Sequence, residues 1–256
     1  TLLRERLDES RDRTPGPFLL TAGAPLDGDP PGAAQAVVLR SADAVAALLP
    51  ILIEDTVDFV SILPGLSHEA YGKVLTLAHE RRLTVFGPRL PRMSMKDALA
   101  AGQDGFHGLD ALLPPTVFWT GASEADVDAS VAELAQAAKP LVPLLYASSS
   151  RLEDQAAEPA ALGLLGTLSP TYESWWRAEL AQRQEFLDAE RRAPGELLLA
   201  KQVRALRALF DAGGVLLPGS GAPQPWLYPG VALQRELAAR VRAGLGTSEI
   251  EATLTA

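Results

Sequence analysis

Few side chains in this sequence have a clear potential for chemistry. The chain contains no cysteine, which excludes a thiol nucleophile, a disulfide and a cysteine-bound zinc. Its three histidines are His68, His79 and His107. The first two fall on a predicted helix and are expected at the surface, whereas His107 falls in a predicted strand. A single histidine without neighbouring ligands is more often structural than catalytic, so His107 is kept only as the alternative metal ligand.

Two other groups could serve in acid–base or nucleophilic catalysis. Asp104 and Asp110 flank one predicted strand and could form an acid–base pair. Aspartate is, however, common in turns and caps, because its side chain hydrogen-bonds the local backbone. Ser220 lies between two glycines, but the G-x-S-x-G spacing of a nucleophile elbow and the Gly-Lys-Ser of a phosphate loop are both absent. Neither group predicts a catalytic site by itself.

The aromatic residues suggest a contact surface. The four tryptophans lie in three clusters: Phe118-Trp119, Tyr172 with Trp175-Trp176, and Trp226 with Tyr228. Trp175 and Trp176 cannot face the same side of a helix, because successive residues diverge by about 100°. The proline-rich loop with Trp226 and Tyr228 follows the last predicted strand, at the end where barrel enzymes build their sites. We therefore predict an interaction or ligand surface that includes Trp175, Trp226, Tyr228 and Arg89.

The elements that must position these residues follow a repeated β-α pattern, which is typical of a parallel sheet with packed helices. The predicted strands are 18–22, 58–63, 83–87, 105–109, 140–146 and 214–217. The predicted helices are 67–82, a short helix from Ser94, 123–138, 172–192 and 195–212, and residues 151–159 are predicted to form an exposed loop. With 256 residues, 47% of them hydrophobic, the chain suits one α/β domain over residues 1–256.

In their order along the chain, these segments resemble the amidohydrolase superfamily, in its imidazolonepropionase- and prolidase-like branch. Residues 16–23 resemble the family's Gly-Pro-Arg-Val-Leu-Thr-Ala-Gly strand, and residues 94–102 its Ala-Leu-Ala-Ala-Gly helix. Residues 78–87 are similar to the helix and strand before a Gly-His-Val-Pro motif, and residues 215–222 to the last strand, which ends Gly-Thr-Asp-Ala.

The resemblance implies a TIM-like (β/α) barrel of amidohydrolase type that is incomplete. The family's first strand and its β-sandwich have no match, and the chain has six or seven predicted strands where a barrel has eight. An open barrel would leave unpaired backbone groups at its edge. We therefore expect that a strand comes from elsewhere, that the edge is covered, or that part of the parent protein is missing.

The resemblance also implies where a metal site would lie. Ser61 stands where the family often has a bridging lysine, Pro88 and Gly108 stand at histidine ligands, and Gly221 stands at the catalytic aspartate. A hydrolytic zinc site needs imidazole or carboxylate ligands at about 2.0–2.2 Å. These four residues supply none, so the sequence predicts no bound metal and no cofactor.

From these observations we predict a protein that is not an enzyme and that serves as a structural or protein-interaction subunit of a larger complex, with other protein chains as partners. One alternative is a metal-dependent hydrolase of amide or other C–N bonds, with ligands relocated around His107, Asp104 and Asp58. Another is a barrel that binds a small molecule without catalysis. The sequence identifies neither the partner, the ligand nor the oligomeric state.

Charge and hydropathy narrow the choice of partners. The net charge is −9 and no basic run occurs, which argues against nucleic acid, because phosphate binding needs clustered lysine and arginine. No apolar run reaches the roughly 20 residues that span a bilayer. The absence of cysteine and the start at Thr1 slightly favour an extracytoplasmic or periplasmic protein.

Overall fold

The computed structural model describes residues 20–33, 35–54, 57–113, 123–150, 152, 163–164, 167–186, 189–222 and 224–246, without the side chains of 182–192. The chain divides into two compact units, Thr1–Phe106 and His107–Ala256. The predicted Phe118-Trp119 cluster, nearly all of the predicted loop 151–159 and the start of the predicted strand 18–22 lie outside the described residues. The single domain over residues 1–256 stays a prediction.

The first unit is a parallel sheet with helices between its strands. Its elements are β1 (Leu26–Asp27), β2 (Val37–Val38), α1 (Ala42–Leu52), β3 (Val60–Ser61), α2 (His68–Glu80), β4 (Val85–Gly87), α3 (Met95–Ala101) and β5 (Gly105–His107), whose last residue begins the second unit. β1 pairs with β2, and β3, β4 and β5 pair in that order, all in parallel. A bridge between Leu26 and Ile62 places β1 beside β3.

The second unit is mainly helical. Its elements are a 3-10 turn (Leu109–Ala111), α4 (Glu124–Ala137), β6 (Leu141–Val142), α5 (Leu145–Ser150), α6 (Pro170–Phe186), α7 (Ala189–Asp211) and α8 (Val231–Arg242). Leu216 forms a parallel bridge to Leu141 of β6. None of the helices in the described stretches is both long and apolar enough to cross a membrane.

Three predicted helix starts are confirmed, because each uses a serine cap. The hydroxyl of Ser67 accepts a hydrogen bond from the N–H of Ala70 at the start of α2. Ser94 accepts one from Asp97 at the start of α3. Ser123 forms a full capping box at the start of α4, so all three helices begin one residue after the predicted start.

Several predicted bounds differ from the structure for local reasons. The predicted strand 140–146 is confined to β6, because Leu144 has a positive φ of 55° and α5 begins at the next residue. α7 runs through Pro194, where a helix break was expected. The predicted strand 18–22 is not a strand at its described residues, and the last predicted strand is reduced to the bridge at Leu216.

The core of the first sheet is formed by leucine, valine and isoleucine side chains of its strands and of α1 and α2. The strands of this sheet approach one another closely. A Cβ atom at Gly105 would overlap the ring of Phe86, and one at Gly87 would overlap Ile62 on the neighbouring strand. The α/β class with parallel strands is thus confirmed, whereas closure into a barrel stays a prediction.

Candidate functional site

Two of the predicted ligand positions lie in the first unit, at the carboxyl ends of adjacent parallel strands. Ser61 ends β3 and Pro88 directly follows β4, and Ser61 stands opposite Phe86 in the strand register. This end of the strands carries the active sites of barrel enzymes. Neither a serine hydroxyl nor a proline ring is a usual zinc ligand, so the strand ends are in place without the donors.

The other two ligand positions lie in the second unit and serve as backbone turns. Gly108 has a φ of 80° and donates its N–H to the carbonyl of Val142 at 2.8 Å. Gly221 has a φ of 68°, and its carbonyl accepts the N–H of Gln224 at 3.2 Å. Positive φ is costly for residues with a Cβ atom. A histidine at Gly108 or an aspartate at Gly221 would therefore be strained in this backbone.

His107 is the last residue of β5 and is half-buried. Burial lowers the pKa of its imidazole from 6.5, so the ring is neutral at pH 7 and can accept a proton, as a general base must. A metal needs further donors beside it. In the described stretches, no three histidine, aspartate or glutamate side chains are grouped so that they could hold an ion. The described residues therefore do not fit a resident metal.

The two carboxylates expected beside this histidine are engaged at the amino ends of their strands. Asp58 accepts the N–H of Thr21 at 2.8 Å. Asp104 accepts the N–H of Val85 at 2.9 Å and contacts Nε2 of His79 at 2.8 Å. Both side chains satisfy polar groups where strands begin, away from the carboxyl end at which the imidazole lies. The relocation of metal ligands to these three residues therefore stays a prediction.

The remaining polar candidates also have local partners. Asp110 accepts a hydrogen bond from Nε2 of Gln202 at 2.7 Å, which ties the 3-10 turn to α7. Ser220 accepts the N–H of Ala222 at 3.2 Å and so stabilises the glycine turn. Asp104 and Asp110 thus each have a structural partner, and their action as an acid–base pair stays a prediction.

The four residues of the predicted contact surface do not form an exposed patch. Trp175 is 40% exposed and meets Tyr172 edge to face at 5.9 Å between ring centroids. Trp226, Tyr228 and Arg89 are 3%, 6% and 6% exposed. The loop after the last strand turns its two aromatic rings inward, where they pack on α6, and this corrects the expectation that they are exposed. Their role in binding stays a prediction.

Trp176, Trp226 and Tyr228 form what we name the aromatic cluster. The ring of Trp176 lies 5.1 Å from that of Tyr228 and 6.0 Å from that of Trp226, and Nε1 of Trp226 donates to the Trp176 carbonyl at 3.0 Å. Trp226 has a φ of 66°, which is unusual for a residue other than glycine. The Trp176 indole N–H and the Tyr228 hydroxyl are buried and find no hydrogen-bond partner among the described residues.

Sequence reasoning missed a carboxylate in the first unit. Asp27 ends β1, is almost fully buried and binds three backbone N–H groups: Gly28 at 2.9 Å, Gly65 at 2.8 Å and Gly32 at 2.6 Å. It thereby holds the loops after β1 and β3 together. A Cβ atom at Gly28 would overlap the Gly65 carbonyl. The glycines on both sides were the available signal, because they permit this close approach.

A second missed feature is a buried ion pair in α8. Glu236 and Arg240 are both fully buried, with Arg240 Nε 3.1 Å from Glu236 Oε1. Glu236 also accepts the N–H of Tyr146 just after β6 at 2.7 Å. Arg240 donates to the carbonyl of Leu217 at 2.7 Å. The pair therefore fixes the segments after β6 and after the Leu216 bridge, although its i,i+4 spacing looks like that of an ordinary surface pair.

No protein-family model and no curated protein matches the chain. Solved structures do. The chain matches bottromycin amidohydrolase with a TM-score of 0.74 and 20% identity, over 97% of this chain and 56% of that one. It matches a putative prolidase from Bifidobacterium longum with a TM-score of 0.60 and 17% identity, over 97% and 55%. For A. niger ochratoxinase the TM-score is 0.59 at 14% identity, over 97% and 55%.

These comparisons contradict the prediction that the chain is not an enzyme. The three proteins just named carry enzyme names, and a Xaa-Pro dipeptidase is a further example, with a TM-score of 0.59 at 14% identity. That prediction inferred a missing activity from the absence of four metal ligands. Those positions bear on one metal site and not on every reaction that the fold supports.

The chain spans little more than half the length of the solved structures it matches. At these identities the likeness concerns the fold, which nearly the whole chain shares with them. The order of the sequence motifs and the structural match agree with each other. The fold of this chain is therefore similar to that of solved amidohydrolase and prolidase structures, in agreement with the resemblance that the sequence motifs indicated.

Proposed function

We propose that the chain forms the barrel part of a hydrolase that cleaves amide or related C–N bonds. The observation that carries the proposal is the match to bottromycin amidohydrolase over 97% of this chain. The prolidase and dipeptidase matches favour the same class of bond, since their names denote hydrolysis of peptides. Closure of the strands into a (β/α) barrel belongs to the proposal.

The described residues limit how this reaction could proceed. Ser61, Pro88, Gly108 and Gly221 offer no metal ligands, so we assign no metal to them. His107 is the group at a strand's carboxyl end whose chemistry suits proton transfer, because burial lowers its pKa and keeps the ring neutral at pH 7. Asp27, at the end of β1, is already bound to three N–H groups. We therefore place proton transfer at His107.

An amidase assay tests the proposal. The purified chain is incubated with a panel of N-acyl dipeptides, including Xaa-Pro peptides, and the amine released is quantified with and without added zinc, manganese or chelator. We expect release well above that of heat-unfolded protein. His107→Ala should reduce the rate of amine release at least tenfold. General acid–base catalysis contributes about 10²-fold or more, so tenfold is a minimum for loss of the base.

His68→Ala is the matched control. His68 begins α2 at the exposed amino end of that helix, 3.4 Å from the Pro91 carbonyl, and its replacement should leave the rate unchanged. If no substrate of the panel is cleaved under any metal condition by the folded protein, the proposed function is wrong. If His68→Ala and His107→Ala lower the rate equally, the placement of proton transfer is wrong.

A further inference from the structure

The aromatic cluster lies where a barrel builds its binding site. Tyr228 and Trp226 belong to the loop that follows the Leu216 bridge, and such loops leave the carboxyl end of a barrel strand. Trp176 comes from α6, and the whole cluster lies in the second unit. Leu180 and Val231 pack around its rings. The cluster is thus an apolar wall beside the predicted mouth of the barrel.

Two polar atoms in this wall have no partner among the described residues. The indole N–H of Trp176 is only a donor, and the Tyr228 hydroxyl can donate as well. Buried polar groups are nearly always hydrogen-bonded, by protein, water or ligand. The third buried polar group of the cluster is Trp226 Nε1. It does have a partner, because it donates to the Trp176 carbonyl. The positive φ of Trp226 is a further cost, and such strain concentrates at functional sites.

The charges near the cluster favour a neutral acceptor over an anion. Burial, and next the carboxylate of Glu173, raise the pKa of Tyr228, whereas Arg177 lowers it. Of these two charges the negative one has the larger effect on Tyr228, and Arg177 is itself paired with Glu173. An anionic ligand would be repelled by that carboxylate. An uncharged carbonyl oxygen would accept hydrogen bonds without this penalty.

We propose that Tyr228 and Trp176 form the polar end of an apolar pocket that holds the carbonyl oxygen of an uncharged amide bearing an apolar side chain. The Tyr228 hydroxyl and the Trp176 indole N–H donate to that oxygen, and the rings of the cluster pack against the apolar group. This inference rests on the proposed function, because it names a substrate class for the same enzyme. The loop bearing Trp226 must shift to admit the ligand, since both polar atoms are covered.

Binding of N-acetyl-L-leucinamide to the full chain tests the pocket, by titration calorimetry and by the quenching or shift of tryptophan fluorescence. Wild-type protein should bind the amide more tightly than N-acetyl-L-leucine, its anionic counterpart. Tyr228→Phe should weaken amide binding about five- to tenfold, the loss expected for one hydrogen bond. The melting temperature of the ligand-free variant should stay the same or rise, because an unpartnered buried hydroxyl is removed.

Tyr172→Phe is the matched control, since Tyr172 is an exposed tyrosine of α6 outside the cluster. This variant should bind the amide as tightly as the wild type does. Equal affinity of Tyr228→Phe and wild type overturns the pocket, and with a lowered melting temperature it assigns the hydroxyl to an internal water. Absence of wild-type binding, or preference for the anion, also overturns it. If binding depends on Tyr228 but no amide is cleaved, the pocket is supported and the proposed function is refuted. If amides are cleaved but binding does not depend on Tyr228, only the pocket is refuted.

Discussion

Replacing Asp27 by alanine should cost a large part of the protein's stability, because one carboxylate satisfies three backbone N–H groups. The bonds to Gly28, Gly65 and Gly32 measure 2.9, 2.8 and 2.6 Å. A buried N–H left without a partner costs about 1–3 kcal/mol. Two of these bonds are only partly buried, so water can replace part of the loss. We therefore expect a decrease of about 4 kcal/mol in the free energy of unfolding, against a total of about 5–15 kcal/mol for a typical domain.

Urea unfolding followed by circular dichroism measures this change, and amide hydrogen exchange locates it. Exchange at Gly28, Gly32 and Gly65 should accelerate more than exchange in α2. Asp29→Ala is the matched control, because Asp29 forms an exposed ion pair with Arg40 and such pairs contribute at most about 1 kcal/mol. A loss below 1 kcal/mol for Asp27→Ala would refute the assignment of Asp27 as the link between the two loops.

Three further predictions concern the helices and strands around the candidate site. Glu236→Gln leaves Arg240 as a buried charge without its partner and should cost about 3–5 kcal/mol in urea unfolding. His107 has a lowered pKa when folded, so between pH 6.5 and that pKa the unfolded chain binds more protons. The free energy of unfolding should therefore fall as the pH drops below 6.5, and His107→Gln should flatten the slope. Gly105→Ala forces the Phe86 ring to move and should lower stability by about 1–3 kcal/mol.

Each of these three has a control in the same chain. Glu173→Gln breaks a partly exposed i,i+4 pair and should change stability by less than about 1 kcal/mol. For His107→Gln the control is the slope above pH 7.5, where this imidazole is neutral in both states and the replacement should change nothing. Gly72→Ala adds a methyl group where nothing lies within 4 Å, inside α2, and should stabilise the protein by up to about 1 kcal/mol. Control effects as large as those of the test variants would contradict the corresponding arguments.

The α/β class and the helix starts could be predicted because their signals are local. Ser67, Ser94 and Ser123 each cap a helix through atoms three residues away. Helix α1 was not predicted, because Pro50 lies inside it, although Ser41 caps it in the same way. The strands proved shorter than their apolar runs, because hydropathy marks burial and not the length of a hydrogen-bonded ladder.

The candidate site was harder to predict, because its important contacts join residues distant in sequence. Asp27 reaches Gly65 and Glu236 reaches Tyr146. The glycine after Asp27 permits a close approach, but the sequence near either carboxylate does not identify its distant partner. Trp226 was expected to be exposed because it lies in a proline-rich loop. The ring is buried instead, and the residue has a positive φ. The loss of ligands at Gly108 and Gly221 was visible in the sequence, but the backbone turns that now occupy these positions were not.

The measurement that bears most directly on the central claim is hydrolysis of an amide in water enriched in oxygen-18. The folded chain is incubated with N-acyl dipeptides of the Xaa-Pro type, and the products are analysed by mass spectrometry. The proposed function predicts release of the amine together with one heavy oxygen atom in the new carboxylate, at a rate reduced by His107→Ala. Intact substrate after prolonged incubation with folded protein, across the panel and with each added metal, would contradict it.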